Sequence, residues 1–254
     1  MRSALALVFL LLLSGCAVRP PATLRIDAPP GSPLARLVAR SGFVAVSTYA
    51  PGDRREGRRR AAVAGGSGTL IGDHGLVATA AHIAVGPTYR LRVTRPGEGS
   101  FEGRVLALLP EKDLAILCVP GLVGHAGARL RLSDPLPGSP VLAFGSPGRT
   151  RIAAAAGRVR GGRLSGSIHY GRFVLEAPLE LELSIEPGFS GGPVLDTDGE
   201  VVGILASFAV DLEAEGGPAN LGLAFAVPGE TLAAGMPAEA ETACAAKSAP
   251  SSLL

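Results

Sequence analysis

Short apolar segments, most of them bounded by glycine, proline or aspartate, recur along the chain from about residue 41 to residue 228. They are rich in β-branched residues or alternate between apolar and polar positions, which is typical of strands. The first set of predicted strands is 43–46, 68–71, 76–79, 90–93, 104–108 and 114–119. The second set is 141–144, 157–160, 172–175, 194–195, 201–206 and 221–227. The break near residues 120–137 predicts two similar all-β halves, and a single β-sandwich is the alternative.

Composition changes this picture little, because it fits a folded protein with many turns. The 254 residues include 35 Gly and 21 Pro without the fixed period of collagen, and 47 % of the residues are hydrophobic. This apolar content, with a net charge of only +2, excludes an intrinsically disordered chain. The 24 Lys and Arg are nearly balanced by 22 Asp and Glu, so we expect no nucleic-acid-binding surface.

The first sixteen residues have the pattern of a bacterial lipoprotein signal peptide. A short positive start at 1–3 precedes an apolar run at 4–13, which is too short to span a bilayer. The run ends in Leu13-Ser14-Gly15-Cys16, which resembles a lipobox and predicts lipidation of the Cys16 thiol, with an ordinary signal peptide as the alternative. Ala17 after this cysteine favours an outer-membrane anchor that faces the periplasm.

The segments that flank the strands predict a domain with two extensions. Residues 17–40 contain five prolines, which predicts a semi-rigid tether in front of a domain at 41–230. A short helix is expected around 229–234, and residues 231–254 should form a frayed C-terminal tail.

Two further cysteines follow the lipobox, Cys118 in a predicted buried strand and Cys244 in the polar tail. A protein exported from the cytoplasm can form disulfides. The apolar neighbours of Cys118 favour a free, buried structural thiol, and a bridge to Cys244 is the alternative.

A glycine-rich turn contains the candidate nucleophile. Residues 188–192 read Gly-Phe-Ser-Gly-Gly and match the pattern G-x-S-x-G. In α/β-hydrolases the acid and the histidine follow this serine, but all four histidines of the chain precede Ser190, which excludes that fold. The order His…Asp…Ser remains, with His82 after one predicted strand and Asp113 at the start of another.

Several segments resemble the trypsin-like serine proteases of the HtrA (Deg) type. These segments are Gly66-Ser67-Gly68-Thr69-Leu70-Ile71, Thr79-Ala80-Ala81-His82, 113–117, Ala143-Phe144-Gly145-Ser146-Pro147, 187–194 and 223–228. The resemblance covers roughly three quarters of the chain and implies an all-β, chymotrypsin-like double β-barrel. In that fold two six-stranded antiparallel barrels hold the active site in the cleft between them. Only about 26 residues follow Pro228, so we expect no PDZ domain.

The same resemblance implies a role for each candidate residue. His82 would act as the base, Asp113 would orient it, and Ser190 would attack the substrate carbonyl. The backbone N–H groups of Gly188 and Ser190 would form the oxyanion hole. Phe189 stands where relatives carry Asp or Asn, so activation through an ion pair with a new N-terminus is not expected. Its ring is expected to pack beneath the loop or to shape the site.

By the family pattern, the primary substrate pocket is bounded by Ser184, Ile185, Leu205, Ala206, Ser207 and Ala224. No acidic residue falls at its expected base, so a small or medium apolar substrate side chain is expected rather than Lys or Arg. The chain has neither C-x-x-C nor H-E-x-x-H, and Gly-Lys-Ser/Thr does not follow Gly66-Ser67-Gly68. We therefore expect no metal and no nucleotide or other cofactor.

These features together predict a serine endopeptidase that hydrolyses unfolded or extended polypeptides in the bacterial cell envelope through an acyl-enzyme intermediate. Its partners would be polypeptide substrates and, through lipidated Cys16, the membrane, with no nucleic acid. The alternative is a non-enzymatic, protease-like lipoprotein that binds peptides or scaffolds envelope partners, which would fit the unusual Phe189 and the expected lack of a PDZ domain.

Overall fold

The computed structural model describes residues 24–26, 32–50, 62–149, 151–213 and 219–245. The predicted signal peptide and its lipobox Cys16 lie outside these residues. None of the helices in the described residues is long and apolar enough to cross a membrane.

The described residues form fifteen strands and four α-helices. In chain order these are β1 (Leu24–Ile26), α1 (Pro33–Arg40), β2 (Phe43–Tyr49), β3 (Ala64–Ile71), β4 (His74–Ala80), α2 (Ala81–Ala84), β5 (Arg90–Arg95), β6 (Gly99–Leu109), β7 (Leu114–Val123), β8 (Pro140–Gly145), β9 (Ile152–Arg163), β10 (Ser167–Tyr170), β11 (Phe173–Glu176), β12 (Leu179–Glu182), β13 (Pro193–Leu195), β14 (Val201–Asp211), β15 (Ala219–Pro228), α3 (Gly229–Ala234) and α4 (Ala240–Ala245). A 3-10 turn at Pro110–Lys112 precedes β7, and another follows β8 at Pro147–Arg149.

Six antiparallel strands close the first barrel in the order β2-β3-β4-β7-β6-β5, with β5 pairing back onto β2. Successive residues of a strand face opposite sides of the sheet, so alternate apolar residues point into the barrel. Its buried interior includes Val44, Val46, Leu70, Val77 and Leu117. The alternation that predicted these strands is therefore the pattern that fills the barrel.

The second barrel closes through β8-β9-β12-β15-β14-β13, with β13 pairing with β8. Strand β1 adds to its edge beside β9. The interior includes Val141, Leu181, Phe189, Val194 and Leu205. Two closed, six-stranded antiparallel barrels confirm the predicted double-barrel fold.

One strand of the second barrel differs from the prediction. The predicted strand at 172–175 corresponds to β11, which pairs only with β10 in a hairpin outside the barrel. The sixth barrel strand is β12, for which no strand was expected. Its sequence Leu-Glu-Leu-Glu has the period of two, and both leucines are fully buried. Two of its four residues are glutamate, which is depleted in strands, so the segment did not stand out.

Part of the predicted tether is folded. Residues 33–40 form α1, whose N-cap Ser32 accepts a hydrogen bond from Ala35 N at 3.0 Å, with Pro33 in the first turn. Val38 is buried against a cluster that includes Phe43 and Phe144. These residues therefore pack on the barrels instead of extending away from them.

Cys118 of β7 and Cys244 of α4 form a disulfide, so the prediction of a free thiol at Cys118 is wrong and the alternative bridge is confirmed. Leu117 points into the first barrel, so Cys118 faces outward, where it packs with Leu76 and Ala240. The predicted helix at 229–234 is α3. Residues 240–245, expected to be frayed, form α4 and are fixed covalently to the outside of the first barrel.

Candidate active site

His82 lies in the single turn of α2, directly after β4. Its backbone N–H donates to Asp113 Oδ1 at 3.0 Å, and its Nδ1 lies 2.8 Å from Asp113 Oδ2. The His82 side chain is 27 % exposed, whereas the Asp113 side chain is fully buried. A carboxylate at Nδ1 favours the tautomer with the proton on that nitrogen. Nε2 is then the ring nitrogen that can accept a proton.

Asp113 occupies a left-handed backbone conformation (φ 43°) between the 3-10 turn and β7. Aspartate tolerates this conformation better than most residues. Its main-chain carbonyl accepts a hydrogen bond from Ala81 N at 3.1 Å, which joins the start of β7 to the start of α2. The two turns that carry His82 and Asp113 are thus linked through both backbone and side chain.

The hairpin β10–β11, which lies between β9 and β12 in the chain, reaches this pair. The Tyr170 hydroxyl donates a hydrogen bond to Asp113 Oδ2. The rings of Tyr170 and Phe173 each lie with their centroids 6.0 Å from that of the His82 ring, in edge-to-face geometry. Burial, followed by the negative charge of Asp113 and the hydrogen bond to it, raises the pKa of Tyr170 far above its ordinary value. Tyr170 is therefore a protonated donor at neutral pH, and sequence reasoning missed it.

Ser190 lies on a loop of the second barrel that meets the helix of His82. A Cβ atom at Gly66 would lie 2.9 Å from the Ser190 carbonyl oxygen and 3.0 Å from Ile83 Cδ1, so the loop that carries Ser190 and α2 meet at Gly66. The Ser190 hydroxyl donates to the Ala206 carbonyl oxygen at 3.2 Å. Within the described ranges, no hydrogen bond joins Ser190 Oγ to His82 Nε2.

The backbone around Ser190 requires glycine. Gly188 has φ 108°, and a Cβ there would lie 2.6 Å from the Ser146 carbonyl oxygen. Gly191 has φ 84°, and a Cβ there would lie 2.1 Å from the Ser67 carbonyl oxygen. The positive φ and the nearby carbonyl oxygen each exclude residues larger than glycine at these two positions. Among the hydrogen bonds of the described residues, the N–H groups of Gly188 and Ser190 have no acceptor, which leaves them available to a ligand oxygen.

Ser67 of β3 ties this loop to the first barrel. Its hydroxyl donates to the Gly188 carbonyl oxygen at 2.7 Å and accepts from Ser146 N at 3.0 Å. Its backbone N–H donates to the Ser190 carbonyl oxygen at 2.8 Å. The Thr69 hydroxyl adds a bond to the Gly191 carbonyl oxygen at 3.1 Å. First-barrel groups thus hold carbonyls of the loop on both sides of the Phe189–Ser190 peptide bond.

Phe189 is fully buried in the core of the second barrel. Its ring lies directly over Gly145, where a Cβ atom would come within 2.3 Å of the ring. This confirms the expectation that Phe189 packs beneath the loop. The ring anchors the residue before Ser190 through apolar contact instead of an ion pair.

Four of the six predicted pocket residues divide between two buried clusters. Ile185, Leu205 and Ala224 pack in the same buried cluster as Phe189. Ala206 belongs to a different cluster, which also contains Leu175 of the β10–β11 hairpin.

The remaining predicted pocket residues lie beside these clusters. Ser184 is half-buried, and the Ser207 hydroxyl is buried without a hydrogen-bond partner in the part of the chain that the structure describes. Asn220, which was not predicted, donates its side-chain amide to the Ile185 carbonyl and accepts from Gly222 N at 2.7 Å. Asn220 therefore fixes the segment that leads into the nucleophile loop.

Comparison with known proteins places this site in a family. Residues 66–204 match the family model of the trypsin-like peptidase domain. The chain belongs to this family. A probable periplasmic serine endoprotease, DegP-like, of Ectopseudomonas mendocina is 36 % identical over 176 residues, which cover 68 % of this chain and 35 % of that protein. The mitochondrial serine protease HTRA2 of Bos taurus is 28 % identical over 244 residues, covering 88 % of this chain and 48 % of that protein.

A solved structure shares the double barrel. The protease Rv3671c of Mycobacterium tuberculosis in its active form superposes with a TM-score of 0.63 at 25 % identity, covering 84 % of this chain and 86 % of that chain. These comparisons support a trypsin-like serine endopeptidase of the HtrA type. The chain spans between about a third and a half of the length of the two curated relatives named above.

Proposed function

We propose that the protein is a serine endopeptidase in which His82, Asp113 and Ser190 form the catalytic triad. The hydrogen bond between His82 Nδ1 and the fully buried Asp113 carboxylate carries this proposal. It lies next to a glycine-rich loop that carries Ser190, in a chain of the trypsin-like peptidase family. A buried carboxylate that faces an exposed imidazole is the arrangement required to orient a general base.

In the proposed mechanism, Ser190 Oγ transfers its proton to His82 Nε2 as it attacks the substrate carbonyl carbon. The resulting oxyanion accepts hydrogen bonds from Gly188 N and Ser190 N, and each such donor typically contributes about 3 kcal/mol in the transition state. His82 then protonates the leaving amine, and a water molecule hydrolyses the acyl-enzyme by the reverse sequence of proton transfers.

The Ser190 hydroxyl must first leave the Ala206 carbonyl oxygen. That bond joins two neutral groups at 3.2 Å, and such a bond has a net value of about 1 kcal/mol. A rotation about the Cα–Cβ bond redirects the hydroxyl, so its cost is small compared with the binding energy of a polypeptide.

We propose extended or unfolded polypeptides as the substrates. Of residues 205–207, the last two would pair with the substrate backbone as an added strand, because the Leu205 N–H and carbonyl groups are already bonded to Gly192 and Gly191. Ser184, Ile185, Leu205, Ala206, Ser207 and Ala224 would bound the primary pocket. Ile185, Leu205 and Ala224 are apolar, so a small or medium apolar side chain is expected to bind best.

The proposed setting is the bacterial cell envelope. One of the relatives is named as periplasmic, and the pattern Leu13-Ser14-Gly15-Cys16 supports lipidation of Cys16. We propose an outer-membrane anchor that faces the periplasm, with the signal peptide at 1–16, the protease domain at 41–230 and the intervening residues as a connection. Mass spectrometry should find a diacylglycerol-modified Cys16 at the mature N-terminus and none in Cys16→Ala; cleavage at another position would contradict the anchor.

Labelling with a serine-directed fluorophosphonate tests the activity. The wild-type protein should form one adduct and cleave an unfolded casein substrate, whereas Ser190→Ala should do neither and His82→Ala should react far more slowly. Ser100→Ala, at an exposed serine of β6, is the matched control and should behave as wild type.

The alternative function, a non-enzymatic peptide-binding lipoprotein, is favoured by the bond from Ser190 to Ala206 in place of His82. A folded wild-type protein that forms no adduct but binds unfolded casein would support that function and reject the peptidase.

A further inference from the structure

Asp113 is fully buried, and its carboxylate depends on few donors. Oδ1 accepts from His82 N at 3.0 Å, and Oδ2 faces His82 Nδ1 at 2.8 Å. Among the hydrogen bonds of the described residues, only one other donor reaches this carboxylate, and it is the Tyr170 hydroxyl on Oδ2. Every other bond of the carboxylate is made by the residue that it must orient.

We propose that Tyr170 is a positioning residue of the triad, which reaches from the β10–β11 hairpin to fix the Asp113 carboxylate against His82. This inference rests on the proposed function, because it assigns a part in the same reaction. It also makes the β10–β11 hairpin a component of the active site, although the hairpin belongs to neither barrel sheet.

The burial of Asp113 explains why an additional donor matters. An ionised carboxylate in an apolar site is costly unless its oxygens are hydrogen-bonded. Without Tyr170, Oδ2 would keep only the His82 ring as a partner, and the carboxylate could rotate about its Cβ–Cγ bond, a torsion with a broad energy profile. With Tyr170 in place, Oδ2 has two donors from different directions, which defines the plane of the carboxylate.

The hairpin is attached to the first barrel by contacts that do not involve the Tyr170 hydroxyl. The Arg172 guanidinium donates to the Val85 carbonyl oxygen at 2.7 Å and lies 5.1 Å from the centre of the Phe173 ring. Leu175 packs in a buried cluster that includes Leu114, the residue after Asp113. Removal of the hydroxyl alone should therefore leave the hairpin in place.

The catalytic consequence arises when His82 becomes an imidazolium during attack by Ser190. The carboxylate must then remain in the plane that binds Nδ1, and Tyr170 maintains that plane throughout the proton transfer. The other charged residues on the adjoining turns and hairpin are Glu111, Lys112, Arg172 and Glu176, and the hairpin also carries the titratable His169. None of these residues donates to the Asp113 carboxylate in the described part of the chain.

Tyr170→Phe tests the role, because it removes one oxygen and keeps the ring. Removal of a hydrogen bond to a charged group should lower kcat by about tenfold or more, while KM stays within about twofold. Tyr49→Phe, on β2 beside Arg92, is the matched control and should change neither quantity.

The outcomes separate this inference from the proposed function. If wild type forms no fluorophosphonate adduct, the proposed function fails. If wild type is active and Tyr170→Phe keeps the wild-type kcat, the positioning role is rejected and the peptidase stands. If Tyr170→Phe lowers the melting temperature but its kcat per titrated active site is that of wild type, the role is structural only, which also rejects the inference.

Discussion

Ser67→Ala is the most informative perturbation of the contact between the two barrels. The fully buried Ser67 hydroxyl donates to the Gly188 carbonyl oxygen and accepts from Ser146 N, so the substitution removes two hydrogen bonds. At about 1 kcal/mol for each bond, the loss would be about 2 kcal/mol. Ser146 N also donates directly to the Gly188 carbonyl oxygen at 3.2 Å, so neither backbone group is left unpaired. We therefore expect the free energy of unfolding to fall by about 1 to 2 kcal/mol.

The effect on catalysis should exceed what this modest loss of stability implies. Gly188 N is a proposed oxyanion donor, and Ser67 holds the carbonyl of the same residue. One oxyanion donor stabilises the transition state by roughly 3 kcal/mol, and a more mobile loop would lose part of this stabilisation. A loss of about 1.4 kcal/mol corresponds to a tenfold lower kcat.

Urea denaturation would measure the stability of Ser67→Ala, and kcat per titrated active site would measure the chemistry. Ser100→Ala is the control, since its hydroxyl contacts Thr94 on the exposed face. A Ser67→Ala protein with wild-type kcat would refute the reasoning that the first barrel aligns the oxyanion loop.

Four further outcomes are expected. Gly191→Ala should abolish fluorophosphonate labelling, because its Cβ would lie 2.1 Å from a carbonyl oxygen at a positive φ. Phe189→Ala should lower the free energy of unfolding by about 3 to 5 kcal/mol in urea denaturation, because it empties a buried ring site. The double variant Cys118→Ala/Cys244→Ala should lower the free energy of unfolding by up to about 5 kcal/mol, which is the chain-entropy limit for a link across 126 residues. A reductant should reproduce this loss in the wild-type protein. Because the pKa of buried Tyr170 is raised, Tyr170 contributes fully to the free energy of unfolding below about pH 10, the ordinary pKa of tyrosine. This contribution is lost as the pH rises further. Denaturation curves should therefore show a smaller alkaline loss for Tyr170→Phe.

The sequence predicted those parts of the fold that repeat a local pattern. Alternating apolar residues such as Val44 and Val46 marked the first barrel, and the same signal marked most of the second. Strand β12 was missed because glutamate, which fills two of its four positions, is depleted in strands, although Leu179 and Leu181 obey the rule. The hairpin strand β11 was correctly predicted to be extended, but no local pattern states which sheet a strand joins.

The proposed site also contains residues that local motifs predict and contacts that no local motif predicts. The motifs around His82 and Ser190 are local, so the sequence pointed to them directly. Tyr170 lies 57 residues from Asp113, and their contact depends on how a hairpin of one barrel folds over the other. The disulfide is a similar case, because the apolar neighbours of Cys118 describe one face of its strand, whereas Cys244 arrives from a helix on the other face.

The disulfide also determines how the molecule would respond to cleavage by its own copies. Cys118 and Cys244 enclose the connection between the barrels, the whole second barrel and the α3 helix within one covalent loop. That connection carries Leu132 and Leu136 with exposed side chains, which match the apolar preference proposed for the enzyme. A cut at any one peptide bond inside the loop would produce two fragments that remain joined. Self-digestion at the connection would therefore yield a nicked two-chain form that keeps both halves of the active site, seen as one band without reductant and two with it.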